Sequence, residues 1–300
     1  MDVCVIGGSR YFGKRLIERL LAADARVTVV NRGSAPAPAG ATRLVADRSD
    51  EGRLLAALGD RTFDVVVDQV CYTPTQAAVA ASVFADRTAR YVMTSTVEVY
   101  AGIARPGAGA ALSESSVSLD PSIMDFAAPW DDEDYLEAHY GEAKQQAEAV
   151  FTAKAPFDFA SVRSAHVLGG GAEDFTGRLA HYVDRVRAGE PVDVHAPEFA
   201  ATFINVDEIA EFLAWAAFAD FTGPVNAASH GELTARQLTE SIPSEAPPRF
   251  RTVAPDTTAS PYSFPTYYAM DNSRAERLGF RFSRLTDWLP DAIGELTHER

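Results

Sequence analysis

Short β-rich runs recur through the first half of the chain: Val3 to Ile6, Val27 to Val30, Leu44 to Ala46, Val65 to Val67 and Tyr91 to Thr94. Compact apolar runs of this kind, rich in Val, read as strands buried on both faces, the pattern of a parallel sheet. Between them the period changes. Lys14 to Ala22 puts Leu16, Ile17, Leu20 and Leu21 on one helical face, and Thr75 to Phe84 is an alanine-rich stretch suited to a crossover helix. This alternation predicts an α/β fold, a doubly wound parallel sheet of βαβ units.

The later pattern is less regular. Residues 101–135 read as a long inserted loop, rich in Gly, Ala, Ser and Pro up to Trp130 and then acidic at Asp131 to Asp134. Long excursions in compact enzymes often cover a site. Helical spacing returns over about His139 to Thr152, a strand-like Phe159 to Arg163 follows, and Val206 to Ala217 has the spacing of another helix. Six prolines between Pro243 and Pro265 predict an extended, loop-like stretch rather than a further wound unit.

Composition narrows the class. A chain of 300 residues that is 47% hydrophobic can fill a large core. With 27 Lys and Arg against 42 Asp and Glu, the net charge of −15 disfavours nucleic acid and anionic membrane as partners. Cys4 and Cys71 sit beside apolar runs without metal-ligand spacing, which predicts no metal and a reducing, cytoplasmic setting. No stretch approaches the roughly 18 apolar residues of a membrane span.

The first candidate site follows the first strand. Gly7-Gly8-Ser9-Arg10-Tyr11-Phe12-Gly13 opens into a helix, where absent side chains let a pyrophosphate reach the helix N-terminus. The next strand ends in Asn31-Arg32-Gly33, with no carboxylate for the ribose hydroxyls of NAD. Arg32 and Arg10 instead offer two guanidinium groups to a 2′-phosphate, so NADP(H) is the expected cofactor, with NAD(H) left open. Asp47, after the third strand, is either an acceptor for the adenine amino group or a turn residue.

The second candidate is a pair. Tyr140 and Lys144, four apart, project from one helical face, and an ammonium beside a phenol favours phenolate, which suits proton exchange at a carbonyl or alcohol. The fifth strand runs into Ser95-Thr96-Val97-Glu98-Val99-Tyr100, setting hydroxyls at a strand's C-terminal end, where open α/β sheets bind ligands.

Taken in order, these motifs resemble those of the extended short-chain dehydrogenases/reductases, and more narrowly the NAD(P)-dependent epimerase/dehydratase family, which implies a Rossmann sheet. The resemblance runs from Val3 to about Leu289 and includes Asp68 to Pro74, Arg163 to Gly169, Phe203-Ile204-Asn205-Val206-Asp207, Asp271 to Ala275 and Leu278-Gly279-Phe280. It implies Thr96 as the hydroxyl at the reacting oxygen in preference to Ser95, Tyr140 as acid/base and Lys144 as the ribose ligand. It also implies Gln69 beside the cofactor, and Glu98 and His166 in the substrate pocket. Arg10 departs from the family by replacing the middle glycine, and Val97 stands where sugar-nucleotide dehydratases carry Asp. The glycine turn and Asn31-Arg32-Gly33 also resemble a chloroplast RNA-binding branch, but the sequence pI near 4.8 and the retained Tyr/Lys pair argue against that role.

The expectation is therefore a dinucleotide-binding domain over residues 1–165 and a mainly substrate-binding region over residues 166–300, with some segments returning to the first. Hydride would pass between nicotinamide and a carbonyl or alcohol carbon of a small molecule. A sugar-nucleotide epimerase with retained NAD, and a non-catalytic protein sensing NADP(H), are the alternatives. Residues 101–135 and 170–201 are expected to wall the pocket, where His166, His181 and His195 are candidate extra ligands or bases, each weighed against the commoner role of an ordinary packed or surface residue. Homodimer formation through crossover helices stays open.

Overall fold

The computed structural model describes residues 1–103 and 111–298; residues 104–110, within the expected insertion, and the last two residues lie outside the described part. The chain divides into two compact units, the first made of Met1–Gly102, Glu114–Ser164 and Ile209–Ala227.

In that first unit the strands are β1 (Asp2–Ile6), β2 (Arg26–Asn31), β3 (Thr42–Val45), β4 (Phe63–Asp68), β5 (Thr88–Thr96) and β6 (Asp158–Ser164). Their connections carry α1 (Tyr11–Ala22), α2 (Glu51–Leu58), α3 (Pro74–Val83), α4 (Glu133–Ala138) and α5 (Tyr140–Lys154). One more strand, β10 (Gly223–Ala227), completes a seven-stranded sheet in the order β10-β6-β5-β4-β1-β2-β3, with every pairing parallel. Val3, Cys4, Val5 and Ile6 are all buried, as a central strand covered on both faces requires. On one face Tyr91 stacks on Phe157 at 5.1 Å, and Phe151 stacks on Phe159 at 4.7 Å. Each fully buried ring of this size contributes roughly 1.5–3 kcal/mol by leaving water.

The strand order reverses between β1 and β4, which opens a crevice at their carboxyl ends. The glycine-rich turn follows β1 and Gln69 follows β4, so the topology alone brings these two segments to one place.

Several elements differ from the sequence expectation. The third strand runs Thr42–Val45 rather than Leu44 to Ala46, and as the mostly exposed edge of the sheet it never needed a continuous apolar run. Helix α2 had no apolar signature long enough to read; it starts at Asp50, whose side chain accepts from Arg53 N. The expected irregular excursion, residues 101–135, ends inside the first turn of α4. Asp132 caps it by accepting from Tyr135 N at 2.9 Å, and Glu133 and Asp134 lie in its first turn, so the acidic run serves a helix start.

The second unit comprises Ile103–Ser113, Ala165–Glu208 and Ala228–Arg300. Its strands β7 (His166–Leu168), β9 (Ala201–Asn205) and β11 (Glu232–Leu233) form a small sheet in the order β11-β9-β7, and β8 (Val192–His195) pairs with β12 (Phe250–Val253). Around them lie α6 (Arg178–Ala188), α8 (Ala235–Glu240), α9 (Ser273–Arg277) and α10 (Leu285–His298). The helix α7 (Val206–Phe218) belongs to the first unit from Ile209 onward. The proline-rich stretch holds only β12, in keeping with the loop-like expectation. Among the described residues no helix is long and apolar enough to cross a membrane.

Candidate active site

The glycine-rich turn is built by close approach. A Cβ on Gly13 would stand 2.6 Å from Gly8 Cα and 2.5 Å from Gln69 Oε1, so only glycine lets α1 leave the turn at this angle. Arg10 is the N-cap of α1, its carbonyl accepting from Gly13 N and Lys14 N. Its backbone is extended, with φ −138°, which explains why arginine is accommodated where the family carries glycine. The left-handed conformation falls instead on Tyr11, at φ 51°. No side chain caps α1 and its first turn carries no acid, leaving the positive end of the helix dipole for an anion. From β4, the buried side chain of Gln69 closes on the turn, with Nε2 lacking any partner.

Asn31 ties the end of β2 to this turn. Its amide donates to Ser9 Oγ at 2.9 Å, and its oxygen accepts from Gly33 N at 3.0 Å and Arg43 Nε at 3.2 Å. Beside it, Arg32, Val45, Ala46, Asp47, Arg53, Ala56 and Ala57 line a cavity of 570 Å³. Asp47 is also a turn residue, accepting from Ser49 N at 2.9 Å. The second cation of this cavity is Arg53, whereas Arg10 is not in its lining. Arg53 and Arg43 escaped sequence reasoning because neither lies in a recognised motif. The available signal was Asp50, three residues before Arg53, marking a helix start near the end of β3.

These features fit a dinucleotide. Gly8 and Gly13 supply the cradle a Cβ would fill, the α1 amides face it, Gln69 brings an unpaired amide, and Asn31, Arg32 and Asp47 stand at the far end.

Tyr140 is the first residue of α5, half-buried, and Lys144 follows one turn later, only 2% exposed. Lys144 Nζ donates to Thr94 O at 2.8 Å and lies 5.9 Å from the centre of the Tyr140 ring. Burial pulls its pKa down to about 8, against the attraction of Cys71 and Asp68. Gly141 brings the helix start against the turn Val97–Tyr100: a Cβ there would meet Glu98 O at 2.1 Å. Sequence reasoning passed over Gly141, although its place inside the Tyr140/Lys144 spacing was a signal.

Of the two adjacent hydroxyls, Ser95 donates to Glu148 Oε1 at 2.5 Å inside a buried network. Thr96, half-buried at the end of β5, accepts from Glu98 N at 3.2 Å. Glu98 itself is half-buried in the turn beside Gly141.

His166 belongs to the second unit, on β7. It stacks on Phe264 at 5.3 Å and on Tyr268 at 5.9 Å, and its Nε2 has no partner. Burial drives its pKa down to about 3, so the imidazole is neutral at physiological pH. His181 contacts Ser260 Oγ at 3.0 Å, and the His195 ring nitrogens lie 2.8 and 3.1 Å from the carbonyls of Ser263 and Thr257. Among the described residues no cluster of His, Cys, Asp and Glu could hold a metal ion.

A doubly wound parallel sheet with a glycine-rich turn at its reversal point is a Rossmann-type architecture. The model of the NAD dependent epimerase/dehydratase family matches residues 3–227, and the chain belongs to that family. No curated protein matches it. Among solved structures it is similar to the UDP-glucose 4-epimerase of Thermotoga maritima with UDP-glucose (TM-score 0.74, 16% identity, 99% of each chain covered). It is also similar to the Thermus thermophilus UDP-glucose 4-epimerase complex with NAD (TM-score 0.73, 17% identity, 100% of each chain). A third is the Bordetella bronchiseptica enzyme WbmG in complex with NAD and UDP (TM-score 0.75, 17% identity, 98% of this chain and 92% of that one). At these identities the likeness speaks for the fold.

Proposed function

We propose that this protein is an NADP(H)-dependent oxidoreductase acting on a carbonyl or alcohol carbon of a small molecule. The observation that carries the reading is the ammonium of Lys144, buried one helical turn from Tyr140 at the carboxyl end of the sheet. A positive charge held out of water beside a phenol favours phenolate, so Tyr140 can exchange a proton near neutral pH. When bound, a nicotinamide supplies or takes up the hydride. In reduction Tyr140 gives its proton to the oxygen of the carbonyl; in oxidation it takes the alcohol proton. Thr96 donates a hydrogen bond to that oxygen, and Lys144 orients the ribose. Gly7, Gly8, Ser9, Arg10, Tyr11, Phe12 and Gly13 hold the pyrophosphate, with Gln69 alongside. Glu98, in the first unit, and His166, in the second, are the residues assigned to substrate recognition in this reading.

The NADP(H) preference rests on Asn31 standing where a carboxylate would repel a 2′-phosphate, and on Arg32 and Arg53 in one cavity. The solved relatives named with NAD favour a second reading, a sugar-nucleotide epimerase that retains NAD through each cycle. The cofactor released on denaturing the purified protein separates the two: tightly held NAD selects the epimerase, exchangeable NADPH the reductase. Following NADPH absorbance against a carbonyl panel tests the reaction, and undiminished turnover by Tyr140→Phe removes that residue from it. Sedimentation velocity tests whether the chain forms a homodimer.

A further inference from the structure

The loop after β4 carries an aromatic side chain that the Tyr/Lys pair does not account for. Tyr72 is half-buried between Cys71 and the Thr73 cap of α3, its backbone N–H donating to Gln76 Oε1 at 2.8 Å. Its ring centre is 4.7 Å from Lys144 Nζ, closer than the 5.9 Å between that nitrogen and the Tyr140 ring. The two tyrosine rings are 6.2 Å apart, tilted by 48°. The ammonium therefore has two phenol rings near it, and the nearer one is Tyr72.

We propose that Tyr72 is a positioning residue for Lys144, its ring face stabilising the charged ammonium beside Tyr140. The site needs such a contribution. Lys144 is fully buried, with one carbonyl, Thr94 O, accepting from it. Burial acts against its charge; Cys71, Asp68 and Glu148 act in favour and Arg48 acts against. Of these, Asp68 is engaged by Arg48 and by the Tyr91 hydroxyl at 2.5 Å, and Glu148 by Arg163 and Ser95. An aromatic face within about 6 Å of a desolvated cation stabilises its charge and adds no carboxylate to a site proposed to take an anionic cofactor. Tyr72 keeps its proton, since burial, first, and then Asp68 push its phenol above the usual range. It is thus a ring and not a second acid/base group. Its consequence for turnover rests on the reading under Proposed function, while its effect on the lysine does not.

The chain has three lysines, Lys14, Lys144 and Lys154, so the ammonium is directly observable. In protein labelled with ¹³C at the lysine ε-carbon, Lys14→Arg with Lys154→Arg leaves a single signal whose midpoint is read by NMR titration, without substrate or turnover. Tyr72→Leu is expected to lower that midpoint by about one pH unit. Pentafluorophenylalanine placed at position 72 keeps the ring's volume and removes its attraction for a cation, and it is expected to lower the midpoint similarly. Tyr72→Phe is expected to leave it where the parent has it. An unshifted midpoint with the fluorinated ring overturns the proposal, as does a fall in Tyr72→Phe matching that in Tyr72→Leu. Failure of the carbonyl panel leaves this measurement intact, so the two readings fail separately.

Discussion

The guanidinium of Arg163 is fully buried, as is the carboxylate of Glu148 on α5. Arg163 donates from Nε at 3.1 Å to both Glu148 oxygens and from Nη2 at 2.6 Å, while Nη1 reaches Tyr100 Oη and Glu114 O, each at 3.0 Å. Tyr100 in turn donates to Asn226 Oδ1 at 2.6 Å. One side chain thereby joins β6, α5, the turn after β5, and β10. Arg163→Met removes every donor to Glu148 from β6, leaving the Ser95 hydroxyl at 2.5 Å. Breaking a buried pair from one side costs about 3–5 kcal/mol, because the remaining charge stays in a place without water. With an unfolding entropy of roughly 2.1 cal/mol/K per residue, about 0.6 kcal/mol/K for a chain this long, the melting temperature is expected to fall by about 5–8 °C. Adding Glu148→Leu removes the stranded carboxylate and is expected to recover at least half of the loss. Calorimetry and urea titration of both variants check this. A single variant within about 1 kcal/mol of the parent, or a double variant no better than the single, refutes the reasoning.

The same interior logic gives Lys144 a pH signature. Its folded pKa, about 8, lies below the ordinary lysine value, so the unfolded chain holds the extra proton between these values and stability rises with pH across that window. Lys144→Met should flatten this rise, which is worth up to about 3 kcal/mol by the linkage of pKa to stability; identical pH–stability curves for the two proteins would exclude it. Gly141→Ala should destabilise by about 1–3 kcal/mol despite alanine's helix propensity, since its Cβ meets the Glu98 carbonyl. Gly52→Ala in α2, where the new Cβ would be 3.6 Å from Asp50 Oδ1, should instead stabilise by about 0.5–1 kcal/mol, and melts showing the same sign for both refute the steric argument. Arg32→Ala is expected to weaken NADPH binding by about 10- to 100-fold in calorimetry with little change for NADH; equal losses for both dinucleotides count against a 2′-phosphate contact.

The wound half of the fold was legible because buried parallel strands must be apolar on both faces, and Val3 to Ile6 and Val65 to Val67 are, while Val27 to Val30 departs only at the half-buried Thr28. The exposed edge strand β3 and the short helix α2 lack that constraint, so their boundaries were not readable. Local spacing sufficed to pair Tyr140 with Lys144. It could not show that Ser95 is consumed by Glu148 while Thr96 is not, because that contact spans 53 residues of sequence. Tyr72 and Gly141 were missed for the same reason: each matters through a neighbour distant in the chain, Lys144 and Glu98 respectively. His166 was named from motif position alone, and only the structure gives it an aromatic surround in the second unit.

The last strand of the seven-stranded sheet is made late. β6 ends at Ser164, yet its outer neighbour begins at Gly223, so a ribosome must add about 60 further residues before that edge can close. At roughly 5–20 residues per second the nascent protein carries a bare row of amides and carbonyls, Asp158 to Ser164, for about 3–12 seconds. A fragment cut after Ser164 would keep that edge permanently, along with a Tyr100 hydroxyl deprived of Asn226. Such a piece is a candidate for edge-to-edge aggregation rather than a minimal cofactor-binding module.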